Sequence, residues 1–558
     1  MKKLGQKQIN IIGHPGTGKT TTLAEKLIQI LNGVEPDTVL CTSFSRSAAR
    51  SMIKKLKDQG LDVDSLKYFR TVHSLAAQAL DLKDPSQFIH PADASRFFNE
   101  MGIEYEKTGS TIDDIELYGY IGSYNMRDAL GNRLQAYFQF LKKVKIYDGD
   151  IRSAIFSREF YDRFGINERY AAAWVYEIYD AWEDEKRRSG KYEYEDMLVE
   201  ALEDKKFPTS PKFGLIDEAQ DLSPLQAELL SLWLEGAEEV YVAFDVMQTI
   251  YFFNGSSPSL ILSLPRDEMR VLDHSYRVPR VPWEHAKRIA LLNGIGTVKK
   301  VKPAAREGDV SFTAKREIPR LLNPSRSTFI LFRSNEAALS FIAELFRKEN
   351  ILVRGMGHIA TLAQDNYFRM QYGCIHKLWH DVLPTFEEIR SIITRIPAKY
   401  LKRGVKTMFS KRPDEARAML EEKQMQKSLE IETLARDSSL FYSLFKNVGN
   451  VPELQDILLE PRVFFGKGHR GEFIRKILTA IKPSSPSFSM ANAFAGTYHS
   501  SKGLEADDVI LFDYLPPRKA DMFEERCLTF VGLTRTKDRA FIVPVEGYEG
   551  IIERDIMR

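Results

Sequence analysis

The chain has 558 residues, 43% hydrophobic and 28% charged, the balance of a folded protein, and at about 150 residues per domain its length implies three to four domains. Lysine and arginine number 79 against 77 aspartates and glutamates, a net of +2, which excludes a uniformly basic, histone-like binder but not a local nucleic-acid track, since binding follows where charge sits. With no apolar run near the roughly 18 residues that span a bilayer, and Cys41, Cys374 and Cys527 too dispersed for a disulfide framework or a zinc cluster, the expectation is a soluble, cytoplasmic protein with no membrane partner.

The opening MKKLGQKQINII is basic but lacks the apolar core of a signal peptide, and QINII (Gln8–Ile12) reads as a first strand. Directly after it, Gly13-His14-Pro15-Gly16-Thr17-Gly18-Lys19-Thr20 fits G-x-x-x-x-G-K-[ST], and the helix-like TTLAEKLIQIL follows. Glycines in such a loop let backbone N–H groups turn inward around phosphate oxygens, at a helix N-terminus whose dipole favours anions. Lys19 then neutralises the β and γ phosphates, and the Thr20 hydroxyl ligates Mg²⁺.

TVLCTSF (Thr38–Phe44) reads as a further strand. A long, mostly helical segment runs from about Ser74 to Lys191, where Tyr170, Trp174, Ile178 and Trp182 recur at steps of four and mark a core-facing helix stripe. The strands FGLID (Phe213–Asp217) and VYVAFD (Val240–Asp245) come next. The first ends in Asp217 and Glu218, an acidic pair where a doubly wound sheet places its ligands. Asp217 suits the hold on Mg²⁺, and Glu218 suits polarising an attacking water. Phosphate loop and acidic pair together imply an Mg²⁺-dependent NTPase.

A second set of strands follows: STFILF (Ser327–Phe332), FAGTYH (Phe494–His499), DVILFD (Asp508–Asp513) and AFIVPV (Ala540–Val545). Between the first two lies another mostly helical segment, from about Ile351 to Met490. It carries the basic run Arg395, Lys399, Lys402, Arg403, Lys406, Lys411 and Arg412, either a solvated face or a nucleic-acid contact. No repeat or low-complexity tract interrupts the chain. The fold class is therefore α/β, with two doubly wound parallel sheets, each carrying a mostly helical insertion.

The remaining landmarks appear in this order: Thr42–Ala49 (TSFSRSAA), Thr71–Ser74 (TVHS), Glu193–Leu198 (EYEDML), Asp217–Asp221 (DEAQD), Asp245–Gly255 (DVMQTIYFFNG), Leu272–Arg277 (LDHSYR), Gly496–Glu505 (GTYHSSKGLE), Glu524–Arg526 (EER) and Val531–Lys537 (VGLTRTK). With this ordered set the chain resembles the superfamily 1 DNA helicases of the UvrD/Rep/PcrA type from about residue 9 to residue 545. The resemblance implies two RecA-like P-loop cores that sandwich ATP and step along single-stranded DNA. Residues 1–75 and 192–280 would form the first core (1A) with insertion 76–191 (1B), and residues 281–350 and 491–558 the second (2A) with insertion 351–490 (2B).

The same resemblance assigns roles. Gly13, Pro15, Gly16, Thr17, Gly18, Lys19 and Thr20 would hold ATP, with Thr20 and Asp217 on Mg²⁺ and Glu218 as general base. Gln248 and Arg277 would sense the γ-phosphate. Arg535 would be the arginine finger, a group worth about 10³–10⁵ in rate. Glu505 would bond the nucleotide sugar and Tyr276 would stack on the base. Phe44, Tyr251 and Phe253 match positions that stack on DNA bases, and His73 and His499 match contacts to the DNA backbone.

The implied function is an ATP-dependent 3′→5′ single-stranded DNA translocase and helicase acting on single strands and ss/ds junctions, with replication or repair proteins as partners. The polarity comes from the DEAQD form and the Gln248–Phe253 segment. Two other outcomes are a translocase that displaces proteins with little unwinding and a nucleotide-switched DNA-binding module without motor activity. The end of the chain soon after Ala540–Val545 speaks against a fused nuclease. The chain departs from the family at Thr21, Asn254 and Ser275, and Gln6 and Gln8 lie too close to the phosphate loop to match its upstream adenine-contacting glutamine.

Overall fold

Strands in a parallel sheet are covered on both faces, so they read in sequence as continuous apolar runs rather than alternating ones. The computed structural model describes residues 3–43, 52–53, 56–57, 66–106, 129–145, 164–166, 171–359, 366–430, 438–459, 474–485, 492–515 and 521–557. Two units emerge: Met1–Glu307 with Pro516–Thr534 and Glu553–Arg558, and Gly308–Leu515 with Arg535–Ile552.

The first unit holds β1 (Lys7–Gly13), β2 (Val39–Ser43), β3 (Phe69–Arg70), β4 (Phe213–Asp217), β5 (Glu239–Phe244) and β6 (Glu268–Leu272). They form one sheet in the order β3-β2-β4-β5-β1-β6, every neighbouring pair parallel. Successive residues face opposite sides. Ile9, Ile11, Tyr241 and Ala243 pack with Leu23, Ala24 and Leu27 of the helix Lys19–Leu31. Ile12, Val240 and Val242 pack with Leu225, Leu229 and Trp233 of the helix Pro224–Trp233.

Register then decides where chemistry can gather. Ile12 pairs with Phe244, Gly13 with Leu272 and Ser43 with Asp217. The carboxyl ends of these strands therefore share one edge, and the loops that follow them converge where open α/β sheets bind ligands.

The aromatic stripe is core. Trp182 is fully buried in a cluster with Phe97, Phe98, Tyr137 and Ile178, and its ring lies 4.8 Å from that of Phe97. Trp174 packs on the edge of the cluster, and Tyr170 lies outside the described residues. Beside this cluster Glu183, Glu193 and Asp196 converge closely enough to hold a metal ion. Two ammonium groups fill that place: Lys186 Nζ is 3.1 Å from Glu193 and 2.8 Å from Asp196, and Lys142 Nζ is 2.8 Å from Glu183.

The helices Arg280–Leu292 and Met522–Leu533 also belong to the first unit. Their packing explains it. Trp283 is buried with its ring 6.4 Å from Phe530, and Asn293 Nδ2 donates to the Phe523 carbonyl at 3.1 Å.

The second unit holds β7 (Asp309–Phe312), β8 (Thr328–Phe332), β9 (Arg354–Gly355), β10 (Ala493–Thr497), β11 (Ala506–Asp513) and β12 (Thr536–Pro544). Its sheet is again all parallel, in the order β7-β12-β11-β8-β10-β9. One core runs from Ile330 and Ile510 in the sheet to Tyr372, Ile392 and Phe441 in the helical segment. Within the basic run, Arg395 donates to the Ser391 carbonyl at 3.1 Å and Lys406 to the Ile396 carbonyl at 2.7 Å. Lys402, Arg403, Lys411 and Arg412 are exposed.

The architecture is thus α/β, with two RecA-like parallel sheets of six strands. All three cysteines are free and buried. Among the described residues no helix is long and apolar enough to cross a membrane.

Candidate functional site

The loop Gly13–Thr20 carries the chain from β1 into the helix Lys19–Leu31. Gly16 and Gly18 take φ of +76° and +87°, the left-handed region that favours glycine. At Gly16 a Cβ would also lie 2.5 Å from Arg277 Cβ and 2.8 Å from Ser275 Oγ, so this position needs glycine for room as well as for torsion. The loop is braced from within and without. Thr17 Oγ1 donates to the His14 carbonyl at 2.8 Å, Ser275 Oγ to the Pro15 carbonyl at 2.7 Å, and the Tyr276 N–H to the Gly16 carbonyl at 2.9 Å. Lys19 is buried, with Nζ donating to the Gly13 carbonyl at 2.7 Å and 4.0 Å from Glu218.

The acidic pair meets this loop directly. Thr20 Oγ1 donates to Asp217 Oδ2 at 2.8 Å, and the Glu218 N–H donates to Asp217 Oδ1 at 3.0 Å. Burial, and then the neighbouring Glu218 charge, push Asp217 up to about 6, against the opposing pull of Lys19 and Thr20. Glu218 sits at φ +53°, a conformation costing about 1–3 kcal/mol for a side chain that is not glycine. It turns the carboxylate toward Lys19 and Gln220, whose Nε2 donates to it. A hydroxyl beside a buried carboxyl group is an all-oxygen donor set of the kind that fits a hard divalent cation.

Gln248 follows β5 in a short turn, Val246–Gln248. Its Nε2 donates to Asp245 Oδ2 at 2.8 Å, and Asp245 Oδ1 lies 3.0 Å from His14 Nδ1. Burial pushes Asp245 up, but His14, Lys19 and the Gln248 bond outweigh it and hold the carboxyl at about 2. Arg277 follows β6, its backbone packed against Gly16. Tyr276 is 73% exposed, its ring 4.6 Å from that of His274, so it is no buried core tyrosine. Gln8 is fully buried, bonding the Leu4 N–H and Asn10 Oδ1 at 2.8 Å each, and its amide is used inside the sheet.

The structure therefore brings Gly13–Thr20, Asp217, Glu218, Gln248, Tyr276 and Arg277 to one end of one sheet. His73 lies on a separate helix, Val72–Ala79, with Nε2 3.8 Å from Glu195. Burial raises Glu195, but Lys143 and His73 outweigh it and hold it at about 2. Tyr251 is half-buried; Phe44 and the side chain of Phe253 lie outside the described residues.

The other candidates belong to the second unit. His499 opens the turn after β10 and is half-buried. Glu505 is exposed, 3.8 Å from Lys537. Arg535 is only 1% exposed, with Nη1 3.4 Å from the Leu504 carbonyl, which rules out an ordinary surface ion-pair residue. Sequence reasoning missed His14 and Asp245. They are 231 residues apart, and nothing in the primary structure pairs them except their places at the ends of neighbouring strands.

Comparison with known proteins gives a consistent picture. The family model of the UvrD/REP helicase N-terminal domain matches residues 2–268, and that of the UvrD-like helicase C-terminal domain matches residues 492–543. A Mycoplasma pneumoniae protein named "Probable DNA helicase" is 27% identical over 271 residues, 45% of this chain and 46% of the relative. The Mycobacterium bovis "ATP-dependent DNA helicase UvrD2" is 22% identical over 269 residues, 46% of this chain and 37% of the relative. A "Probable DNA helicase II homolog" of Mycoplasma capricolum is 20% identical over 381 residues, 62% of this chain and 49% of the relative. The chain spans less than half the length of each of these relatives.

Proposed function

Because this chain belongs to the UvrD-like family of superfamily 1 helicases, we propose that it is an Mg²⁺-dependent, DNA-stimulated ATPase of the cytoplasm that steps 3′→5′ along single-stranded DNA and unwinds duplexes at ss/ds junctions. The observation that carries this reading is the 2.8 Å contact between Thr20 and Asp217, with Lys19 and Glu218 4.0 Å apart beside it.

Each residue has a task in this reading. Lys19 exchanges the Gly13 carbonyl for phosphate oxygens, and the loop N–H groups hold the rest of the triphosphate. Thr20 and Asp217 are the residues that would hold Mg²⁺, which supplies charge neutralisation at the β and γ phosphates. Glu218 takes a proton from the attacking water, with Lys19 4.0 Å from its carboxylate. Gln248 and Arg277, at the ends of β5 and β6, are assigned to the γ-phosphate, and Tyr276 to the base through its exposed ring. Arg535 and Glu505 are assigned to transition-state charge and to the sugar. Phe44, Tyr251 and Phe253 are assigned to stacking on DNA bases, and His73 and His499 to the DNA backbone. Replication or repair proteins are the partners this activity fits.

The test is ATP hydrolysis with and without single-stranded DNA. The reading expects strong stimulation that Lys19→Ala abolishes. A rate indifferent to DNA would sink the motor reading, and a rate indifferent to Lys19 would sink the site.

A further inference from the structure

His14 takes the first variable position of the phosphate loop and is 1% exposed. Its Nδ1 lies 3.0 Å from Asp245 Oδ1 and its Nε2 3.0 Å from Thr297 Oγ1. The Trp283 and Phe530 rings flank it at centroid distances of 6.1 and 6.4 Å. Asp245 accepts the Met247 N–H on the same oxygen as His14, and Gln248 Nε2 on the other.

The chemistry of the carboxylate orders this cluster. Asp245 is held ionised by its neighbours, and an ionised carboxylate only accepts hydrogen bonds. His14 and Gln248 must both turn an N–H toward it. That places a proton on Nδ1 of His14, facing Asp245, while Nε2 lies 3.0 Å from the Thr297 hydroxyl. It also fixes which end of the Gln248 amide faces Asp245, so the carbonyl end points away. A buried residue that only filled space would need neither bond.

The neighbouring loop residues repeat the pattern. Pro15 and Gly16 accept from Ser275 Oγ and the Tyr276 N–H at 2.7 and 2.9 Å, the segment that carries Arg277. Three consecutive loop residues are thus each tied to a strand end bearing a candidate phosphate sensor. We infer that His14 is a positioning residue that couples the phosphate loop to Gln248 through Asp245, so that the loop conformation holding a triphosphate also sets the orientation of the Gln248 amide. The inference rests on the nucleotide-binding reading of this site.

The test is a double-mutant cycle in the full chain. ATP hydrolysis at saturating single-stranded DNA is measured for wild type, His14→Ala, Gln248→Ala and the double variant, together with His14→Asn, whose side-chain N–H can take the place of Nδ1–H. His14→Ala should lower kcat about tenfold with KM for ATP within about threefold. In the Gln248→Ala background the same change should cost less than about twofold. His14→Asn should recover at least half of the kcat. Independently of activity, ¹⁵N shifts of the His14 imidazole in the nucleotide-free chain should report a protonated Nδ1.

Additive losses, a raised KM with unchanged kcat, a folded His14→Asn no better than His14→Ala, or an Nε2–H tautomer would each overturn the inference. If His14→Ala does not fold, His14→Asn and the tautomer still decide. A wild-type chain that hydrolyses no ATP overturns the nucleotide reading and this inference with it. A hydrolysing chain with an additive cycle overturns the inference alone.

Discussion

The Thr20 hydroxyl donates to Asp217 Oδ2 at 2.8 Å, joining the first turn of the helix after β1 to the last residue of β4 across 197 positions of sequence. Strand order makes the contact: only β5 separates β1 from β4, and all three strands end on the same edge. Because this pair is the proposed cation site, the state of Asp217 governs both stability and turnover.

Burial and Glu218 raise Asp217 from 3.8 to about 6, so the folded chain favours the neutral acid. That stabilisation is complete below about pH 4 and is lost as pH rises through about 6. Asp217→Asn keeps a partner for Thr20 and removes the charge. It is therefore expected to stabilise the chain in the absence of nucleotide and Mg²⁺ at pH 7.5, by on the order of 3 kcal/mol, with the gain shrinking toward pH 4. The same variant should lose Mg²⁺-dependent hydrolysis. Thermal unfolding at the two pH values is the check, and a variant less stable than wild type at pH 7.5 would contradict the assignment.

Glu218→Gln preserves shape and hydrogen bonding while removing the proposed base. Hydrolysis should fall by about 10²–10⁴, with affinity for a fluorescent ATP analogue changed by no more than about threefold. Equal loss of binding and turnover would assign Glu218 to the grip on nucleotide instead.

Tyr276 offers a ring that is 73% exposed, and stacking of aromatic faces contributes about 0.5–1.5 kcal/mol. Tyr276→Ala is expected to raise KM for ATP by roughly three- to tenfold and leave kcat nearly intact. Tyr276→Phe should behave as wild type. A fall in kcat with constant KM would remove the ring from base stacking.

Lys186 is 4% exposed between Glu193 and Asp196. Removing one partner of a buried ion pair leaves charge uncompensated, at a cost of about 3–5 kcal/mol. Lys186→Met should lower the urea midpoint of the first unit accordingly at pH 7. The deficit should ease in acid, as the stranded carboxylates take up protons. A neutral substitution would show that water reaches this cluster.

Much of this was readable in advance, and the boundary of what was readable is physical. Each of the eight strands marked by an apolar run is interior to its sheet. The four that passed unnoticed, β3, β6, β7 and β9, are the four sheet edges. Edge strands are short or half-exposed, as in Glu268–Leu272 with its partly exposed residues, and so lack the continuous apolar signature. The phosphate loop was visible because its chemistry is local: glycines, lysine and threonine act within eight consecutive residues. The His14–Asp245 contact was not, because it exists only once β5 lies beside β1. The grouping of the helix Met522–Leu533 with the first unit was not legible either, because it rests on buried packing between Trp283 and Phe530, far apart in sequence.

The most direct test of the central claim is strand displacement from duplexes bearing a 3′ or a 5′ single-stranded tail, with ATP and Mg²⁺. The account predicts unwinding of the 3′-tailed substrate, little of the 5′-tailed one, and none by Lys19→Ala. Preference for the 5′ tail would reverse the assigned direction. Displacement of neither substrate, with hydrolysis unaffected by DNA, would contradict the account as a whole.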